Sequence, residues 1–399
     1  MKILMVNKFL HPAGGAETYV LRLGEHLTRL GHQVEYFGME HPDRVMGNHW
    51  DLYTSYIDFH GKSLLTEAGY LLRVVYSAEA RRNMAQLLEA FRPDVMHINN
   101  FNYQLTPSIL VAAAEYRRKG NPLRIVYTAH DSQLVCPNHM LFNPAQGHVC
   151  EKCLTGGSMH CVKGRCIHNS LPRSVLGAVE SAYWKLRKIY SELDVILCPS
   201  AFMKRKLDTN PILADKTVTL PNFVTPAAAQ TAEKENYVLY FGRFSVEKGI
   251  EPLVEACKAL PEIPFVFAGR GPLEELVKSV PNGRYVGFQT GEALKELIRK
   301  ARFSVCPSVC HDNAPFSVME SLMAGTPALG SNRGGIPDLI ADGHTGWLYD
   351  ADDPAALSEA LRRVWNSGEP EQFLPACRDV HFDSLAEYTE KLMTFYTQP

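Results

Sequence analysis

Lys2 to Val6 is a short apolar run, followed by the loop His11-Pro12-Ala13-Gly14-Gly15-Ala16-Glu17. Thr18 to Leu30 then carries apolar residues at helical spacing, Gly31 closes it, and Gln33 to Gly38 is strand-like again. A tight turn can reverse a strand but cannot start a second one parallel to it, so a helical crossover implies parallel pairing. The order strand, glycine loop, helix, strand therefore predicts a doubly wound α/β domain. Pro93 to Ile98, Arg124 to Thr128 and Asp194 to Cys198 continue the pattern as strands, with a helix at Leu110 to Lys119. Ser63 to Phe91 is predicted as one or two helices, with Tyr70, Arg73, Tyr76, Arg81 and Arg82 on them.

The alternation then starts again. Tyr237 to Gly242, Phe265 to Gly269, Tyr285 to Phe288, Phe303 to Pro307 and Pro327 to Gly330 are the second set of strands. A chain of 399 residues exceeds one ordinary core, so two such domains are expected. The first spans residues 1–200, and the second spans 201–380. A linker lies near Ser200 to Gln230, marked by Pro221-Asn222-Phe223 and the small polar run Thr225 to Thr231. The final helix, Ser384 to Thr397 within 381–399, packs back on the first domain.

Polar residues leaving the carboxyl ends of such strands face one crevice, which is where open α/β sheets bind ligands. In the first domain these are Gly14-Gly15, His97, Asn99 and His130-Asp131. Gly14-Gly15 suits close ligand approach or simply a tight turn, and His130 is either a site residue or a core histidine. In the second domain Gly242-Arg243 and Lys248-Gly249 place two cations five residues apart before a helix that begins near Glu251-Pro252. Arg forks onto phosphate oxygens and Lys adds a point charge, so the pair suits a diphosphate without a metal. Farther on, Asp312 falls in a loop after a strand, and Glu320 falls on the helix Phe316 to Ala324, with Pro315 at a first helical position. That helix start offers free backbone N–H groups to an anion.

Cys136 to His168 breaks the pattern. It holds Cys136, Cys150, Cys153, Cys161 and Cys166, interspersed with His139, His148, His160 and His168. Cys150-x-x-Cys153 has metal-ligand spacing, so structural zinc, disulfides and free thiols all stay open. Pro172 to Leu193 is helical, with Tyr183, Trp184, Lys185, Arg187, Lys188 and Tyr190. That composition suits either an anionic membrane surface or a core-packing helix with a solvated basic face.

Charge separates partner classes. The net charge is −2, which gives no electrostatic case for nucleic acid. Residues 1–200 hold 21 Lys plus Arg against 17 Asp plus Glu, and the remainder holds 20 against 26. A first half at +4 and a second at −6 suit either an anionic partner or anionic lipid headgroups on the first domain, or simply a solvated surface. No apolar run approaches a membrane span, and Met1 to Val6 is too short for a signal peptide. A cytoplasmic protein with reduced cysteines is expected.

Taken in order, Gly242-Arg243-x4-Lys248-Gly249, Gly269-Arg270-Gly271-Pro272, Asp312-x7-Glu320, Ala324-Gly325-Thr326-Pro327 and Gly334-Gly335 resemble the family 4 glycosyltransferases. Gly14-Gly15, Asp94-Val95-Met96-His97 and His130-Asp131 fit as well, so the likeness covers nearly the whole chain. The cysteine-bearing insert is similar to that of bacterial members from surface-polysaccharide clusters. The resemblance implies the GT-B architecture, two Rossmann-like domains across a cleft. It also implies transfer, with retention, from a nucleotide-diphosphate sugar to a lipid-linked saccharide acceptor, without a required metal.

The resemblance further implies residue roles. Arg243 and Lys248 would hold the diphosphate, and Glu320 would bind the ribose. Asp312, Phe316 and Ser317 would meet sugar and phosphate. Val286 to Phe288 would border the base, with Gly242 and Gly271 in the donor loops. His130 would touch the donor sugar from the first domain, and Gly14 and Gly15 would approach the phosphate and acceptor. The family usually carries Glu where this chain has Asp312, a side chain one methylene shorter, and Asp338 stands where Glu is common. A sugar-nucleotide epimerase and a non-enzymatic sugar-nucleotide binder are the alternatives. The absence of G-x-G-x-x-G argues against a dehydrogenase.

Overall fold

The computed structural model describes residues 1–57, 73–224 and 233–398. The strands are β1 (Lys2–Val6), β2 (Gln33–Phe37), β3 (Val95–Ile98), β4 (Arg124–Thr128), β5 (Phe142–Asn143), β6 (His148–Val149), β7 (Val195–Cys198), β8 (Thr217–Thr219), β9 (Glu235–Arg243), β10 (Phe265–Arg270), β11 (Gly283–Tyr285), β12 (Ala301–Cys306), β13 (Ala328–Ser331) and β14 (Gly346–Tyr349). Four helices bear on function: α1 (Gly15–Arg29), α2 (Leu171–Leu186), α3 (Phe316–Met323) and α4 (Leu385–Thr397).

Two six-stranded sheets form, with orders β2-β1-β3-β4-β7-β8 and β11-β10-β9-β12-β13-β14. Every pairing in both is parallel. The chain is thus two doubly wound α/β domains. Each sheet reverses its winding beside its first strand, between β1 and β3 and between β9 and β12. Crossovers leave those gaps on opposite faces, which opens a crevice at the strands' carboxyl ends.

Alternate residues of each strand enter opposite core layers. In β1, Ile3 and Met5 face α1 and α4, while Leu4 and Val6 face the helices Ala78–Phe91 and Ser108–Arg118. In β9, Val238 and Tyr240 face one layer, and Tyr237, Leu239 and Phe241 the other. Helix α4 closes the first domain. Its Tyr388 hydroxyl lies 2.7 Å from that of Tyr19, and the Tyr396 hydroxyl lies 2.6 Å from His97 Nδ1. Its start is a capping box between Ser384 and Glu387.

Several expectations need correction. The first sheet takes its sixth strand from Thr217–Thr219, so the first domain runs past residue 200. That strand is a three-residue edge, too short and too polar to stand out in sequence. Pro315 is the cap of α3, with an extended ψ of 121°, and Phe316 is the first helical residue. Tyr285 ends β11, so Val286 to Phe288 lie beyond the strand. Helix Pro172 to Leu193 divides into α2 and a short 3-10 turn at Ile189–Glu192. The insert carries the β5–β6 hairpin and two short helices, Lys152–Gly156 and Met159–Lys163. Part of the Ser63 to Phe91 prediction and the run Thr225 to Thr231 lie outside the described residues. No helix among the described residues is long and apolar enough to cross a membrane.

Candidate active site

The loop between β12 and α3 is the centre of the site, and its shape is set by two neighbouring turns. Val309 N–H donates to Glu247 O at 3.1 Å, and Gly335 N–H donates to Asp312 O at 2.7 Å. Both turns depend on glycine. Gly249 has a φ of +71°, and a Cβ there would lie 1.8 Å from Pro307 O. Gly334 has a φ of +60°, and a Cβ there would lie 2.1 Å from Asp312 O. A side chain at either place would push the loop away.

This packing brings together two predicted residues from segments that follow different strands. Lys248 Nζ donates to Asp312 Oδ2 at 2.5 Å, and Ser308 Oγ donates to the same oxygen at 3.0 Å. Burial would lower the Lys248 pKa, but the Asp312 carboxylate more than offsets it, so the ammonium is held charged. Arg243 ends β9, is exposed, and makes no ion pair among the described residues. Gly242 is the β9 residue before it. Gly271 is pressed onto the loop after β9, where an added Cβ would lie 2.3 Å from Phe244 O.

Helix α3 begins with no side-chain cap on its N–H groups. Phe316 crosses to the first domain, where a Cβ on Gly15 would sit 3.5 Å from its ring. Gly14 is the extended cap of α1, also without a side-chain cap bond. Ser317 is half-buried in the first turn of α3. Glu320 is half-buried on α3. Burial raises its pKa, and the charges of Arg22 and Lys295 partly oppose the rise. Phe288 is 58% exposed, with the Arg270 guanidinium 4.6 Å from its ring centroid. Leaving the strand frees this ring to present a flat face, and Val286 lies half-buried beside it.

His130 follows β4. Its Nε2 lies 2.9 Å from Asn99 Oδ1, and its ring meets Tyr19 edge-on at 4.9 Å. Burial lowers its pKa to about 4, so it is neutral at neutral pH. His97 belongs to the core instead of the crevice. It is fully buried, bridges Tyr396 to Thr128 at 2.6 and 2.7 Å, and burial lowers its pKa to about 3.

Sequence reasoning gave no joining role to the residues that link the domains. Asn313 Nδ2 donates to Ala129 O at 2.8 Å, and Ser200 Oγ donates to Asn313 Oδ1 at 2.6 Å. Asp338 Oδ2 accepts from Phe202 N–H at 2.9 Å. In the insert, Glu151 contacts His311 Nε2 at 3.2 Å and Lys206 Nζ at 2.7 Å. Asn313 lies between two residues that had been picked out, and its type gave the only hint, since an amide can donate and accept at once.

No disulfide joins the five insert cysteines. Cys153, Cys161 and Cys166 share one buried cluster. Cys150 lies at its half-buried edge, and Cys136 packs on Leu141 and Phe202. Among the described residues the one trio of potential metal ligands in mutual reach is His381, Asp383 and Glu387, and the cysteines do not form another. Lys391 neutralises Asp383, and Glu387 caps α4.

Comparison with known proteins gives two family matches. Residues 13–228 match the model described as Glycosyltransferase Family 4, and residues 224–374 match Glycosyl transferases group 1. An uncharacterized glycosyltransferase of Methanocaldococcus jannaschii is 26% identical over 182 residues, which cover 44% of this chain and 51% of that one. The chain thus spans about half the length of that relative. Sucrose-phosphate synthase from Thermosynechococcus elongatus has a similar fold, with a TM-score of 0.65 and 18% identity over 99% of this chain and 98% of that one. An Anabaena protein solved with UDP-glucose aligns over 100% of both chains, with a TM-score of 0.63 and 14% identity.

Proposed function

Because the chain belongs to Glycosyltransferase Family 4, we propose that it is a retaining glycosyltransferase moving a sugar from a nucleotide-diphosphate sugar to a saccharide acceptor. One observation carries the reading. Gly15 of the first domain stands against Phe316 at the uncapped start of α3, directly after the loop that pairs Asp312 with Lys248. A narrow cleft with a helix start and a held cation suits an anion that must depart with its charge.

In this reading Arg243 forks onto the diphosphate and Lys248 supplies a fixed point charge. Glu320 accepts from the ribose hydroxyls, and the base lies on Phe288. Asp312 and neutral His130 hold the sugar hydroxyls from opposite domains. The acceptor hydroxyl attacks the anomeric carbon from the face the diphosphate leaves. The bond from that carbon to the phosphate oxygen breaks as the new carbon–oxygen bond forms, and the acceptor's proton passes to a diphosphate oxygen. Configuration is retained, and neither a side-chain base nor a divalent metal takes part.

We further infer a lipid-linked acceptor and a role in surface-polysaccharide assembly, which the insert's likeness to bacterial members supports, and a cytoplasmic site of action, which the short apolar start of the sequence supports. We also infer a structural zinc in that insert, with Cys136, Cys150, Cys153, Cys161 and Cys166 as the candidate ligands. Cys153, Cys161 and Cys166 pack in one buried cluster, and binding would have to draw their sulfurs closer together.

A panel of UDP-, GDP- and ADP-sugars tests the function, with UDP-glucose first because a protein of this fold was solved with it. The expected result is slow nucleoside-diphosphate release with one donor, accelerated by a saccharide acceptor and giving a product of unchanged anomeric configuration. Donor binding without release would favour the binding-protein alternative. Interconversion of nucleotide sugars without an acceptor would favour the epimerase.

A further inference from the structure

Helix α2 has a face that is unpartnered among the described residues. Leu171, Val175, Val179 and Leu186 are 47%, 42%, 50% and 84% exposed, and Pro172 and Ala182 are exposed between them. At about 100° per residue, all but Pro172 fall within roughly 80° of one another. No polar residue interrupts this stripe, which is about 22 Å long at 1.5 Å per residue. The opposite side of the helix is anchored. Trp184 is fully buried, donates Nε1–H to Val75 O at 3.0 Å and stacks on Tyr76. The outward face is therefore not a disordered or frayed surface but a fixed one. Ser158 and Ser181 hydroxyls lie 3.1 Å apart, which brings Met159, 61% exposed, beside the helix.

The charge around this face has one sign. From Lys152 to Lys188 the chain carries Lys152, Lys163, Arg165, Arg173, Lys185, Arg187 and Lys188, against Glu180 as the only carboxyl. Glu180 is buried, and none of the seven cations makes an ion pair among the described residues. Arg187 rests on the Tyr183 ring and hydroxyl, at the edge of the stripe.

We propose that α2 docks this domain on an anionic lipid surface, lying in the plane of the interface with its apolar stripe among the acyl chains. A fixed apolar stripe beside a basic rim matches what anionic headgroups over hydrocarbon offer. Pairing of two copies through this face fits less well, because it would set one cationic rim against another. The proposal depends on neither the donor nor the reaction, so it can fail while the transfer activity stands.

The experiment uses full-length protein and vesicles of phosphatidylcholine with and without phosphatidylglycerol. Wild type is expected to co-sediment with the anionic vesicles and to be released by added salt. The double variant Val175→Asp/Val179→Asp should lose about tenfold or more of that partitioning. Both valines are exposed, so the thermal transition and donor hydrolysis should be unchanged. Arg187→Glu/Lys188→Glu leaves the stripe intact and should weaken binding with a shallower salt dependence. Failure of wild type to bind anionic vesicles overturns the proposal. So does concentration-dependent self-association that the double variant abolishes, which would make the stripe a contact between copies.

Discussion

Lys248 Nζ and Asp312 Oδ2 lie 2.5 Å apart, although 64 residues separate them in the chain. The cation proposed to meet the diphosphate is thus already paired with the carboxylate proposed to meet the sugar. A donor entering the site must share the ammonium with Asp312, whereas Arg243 pairs with no carboxylate among the described residues.

Removing either cation should cost turnover. Arg243→Ala and Lys248→Ala are each expected to lose about 10²-fold in kcat, in line with loss of one preorganised contact to a developing charge. Single-turnover transfer assays check this. Near-wild-type rates in both variants would remove the diphosphate assignment.

The pairing predicts opposite effects on binding and chemistry at one position. Asp312→Asn keeps the shape and frees the ammonium, so the nucleoside diphosphate should bind tighter while sugar transfer falls about tenfold or more. Calorimetry and transfer assays on the same preparation separate the two. Weaker diphosphate binding would mean that Asp312 serves to hold Lys248 in place. Asp312→Glu is expected to change the ratio of turnover between donor sugars, read by direct competition.

Asn313 ties the domains together through Ala129 O and Ser200 Oγ. Asn313→Ala should weaken closure by about 1–3 kcal/mol, the cost of two hydrogen bonds with one buried partner left unmade. The expected signs are a larger radius of gyration by solution scattering and a several-fold loss in kcat/KM. An unchanged radius and rate would show that other contacts hold the domains.

Burial raises the Glu180 pKa from 4.5 to about 8. Below pH 4.5 folded and unfolded chains both keep the proton. Between about 4.5 and 8 only the folded chain keeps it, so this group's contribution to stability falls as pH rises. The slope is at most about 1.4 kcal/mol per pH unit. Glu180→Gln should flatten the decline, seen as a higher Tm than wild type at the alkaline end of that window. Parallel curves for the two proteins would contradict the assignment.

Metal analysis decides the use of the insert cysteines. Protein prepared without chelator is expected to hold one zinc equivalent, and chelator treatment should lower its Tm. A content well below one equivalent would leave the cluster as packed free thiols.

Much of the fold was legible because parallel strands are buried on both faces and appear as apolar runs. Arg124 to Thr128 shows this: its predicted range and β4 coincide. The edge strand β8 escaped because Thr217-Val218-Thr219 has only one paired neighbour and a half-solvated surface. His97 was misplaced because a histidine at a strand end looks the same whether it meets solvent or a distant tyrosine. Its partner, Tyr396, is 299 residues away.

The sequence by itself determined that two parallel-sheet domains form, where their crevices open, and which cations and carboxylates stand at the strand ends. Periodicity encodes which face of an element is buried, and glycines encode where the chain turns. Only the tertiary structure decided that Lys248 is paired with Asp312, that Asn313 bridges the domains and that α2 leaves a bare apolar face. Those facts depend on which surfaces meet. Contact across long chain separations is set by the packing of whole layers, and no local pattern of residues records it.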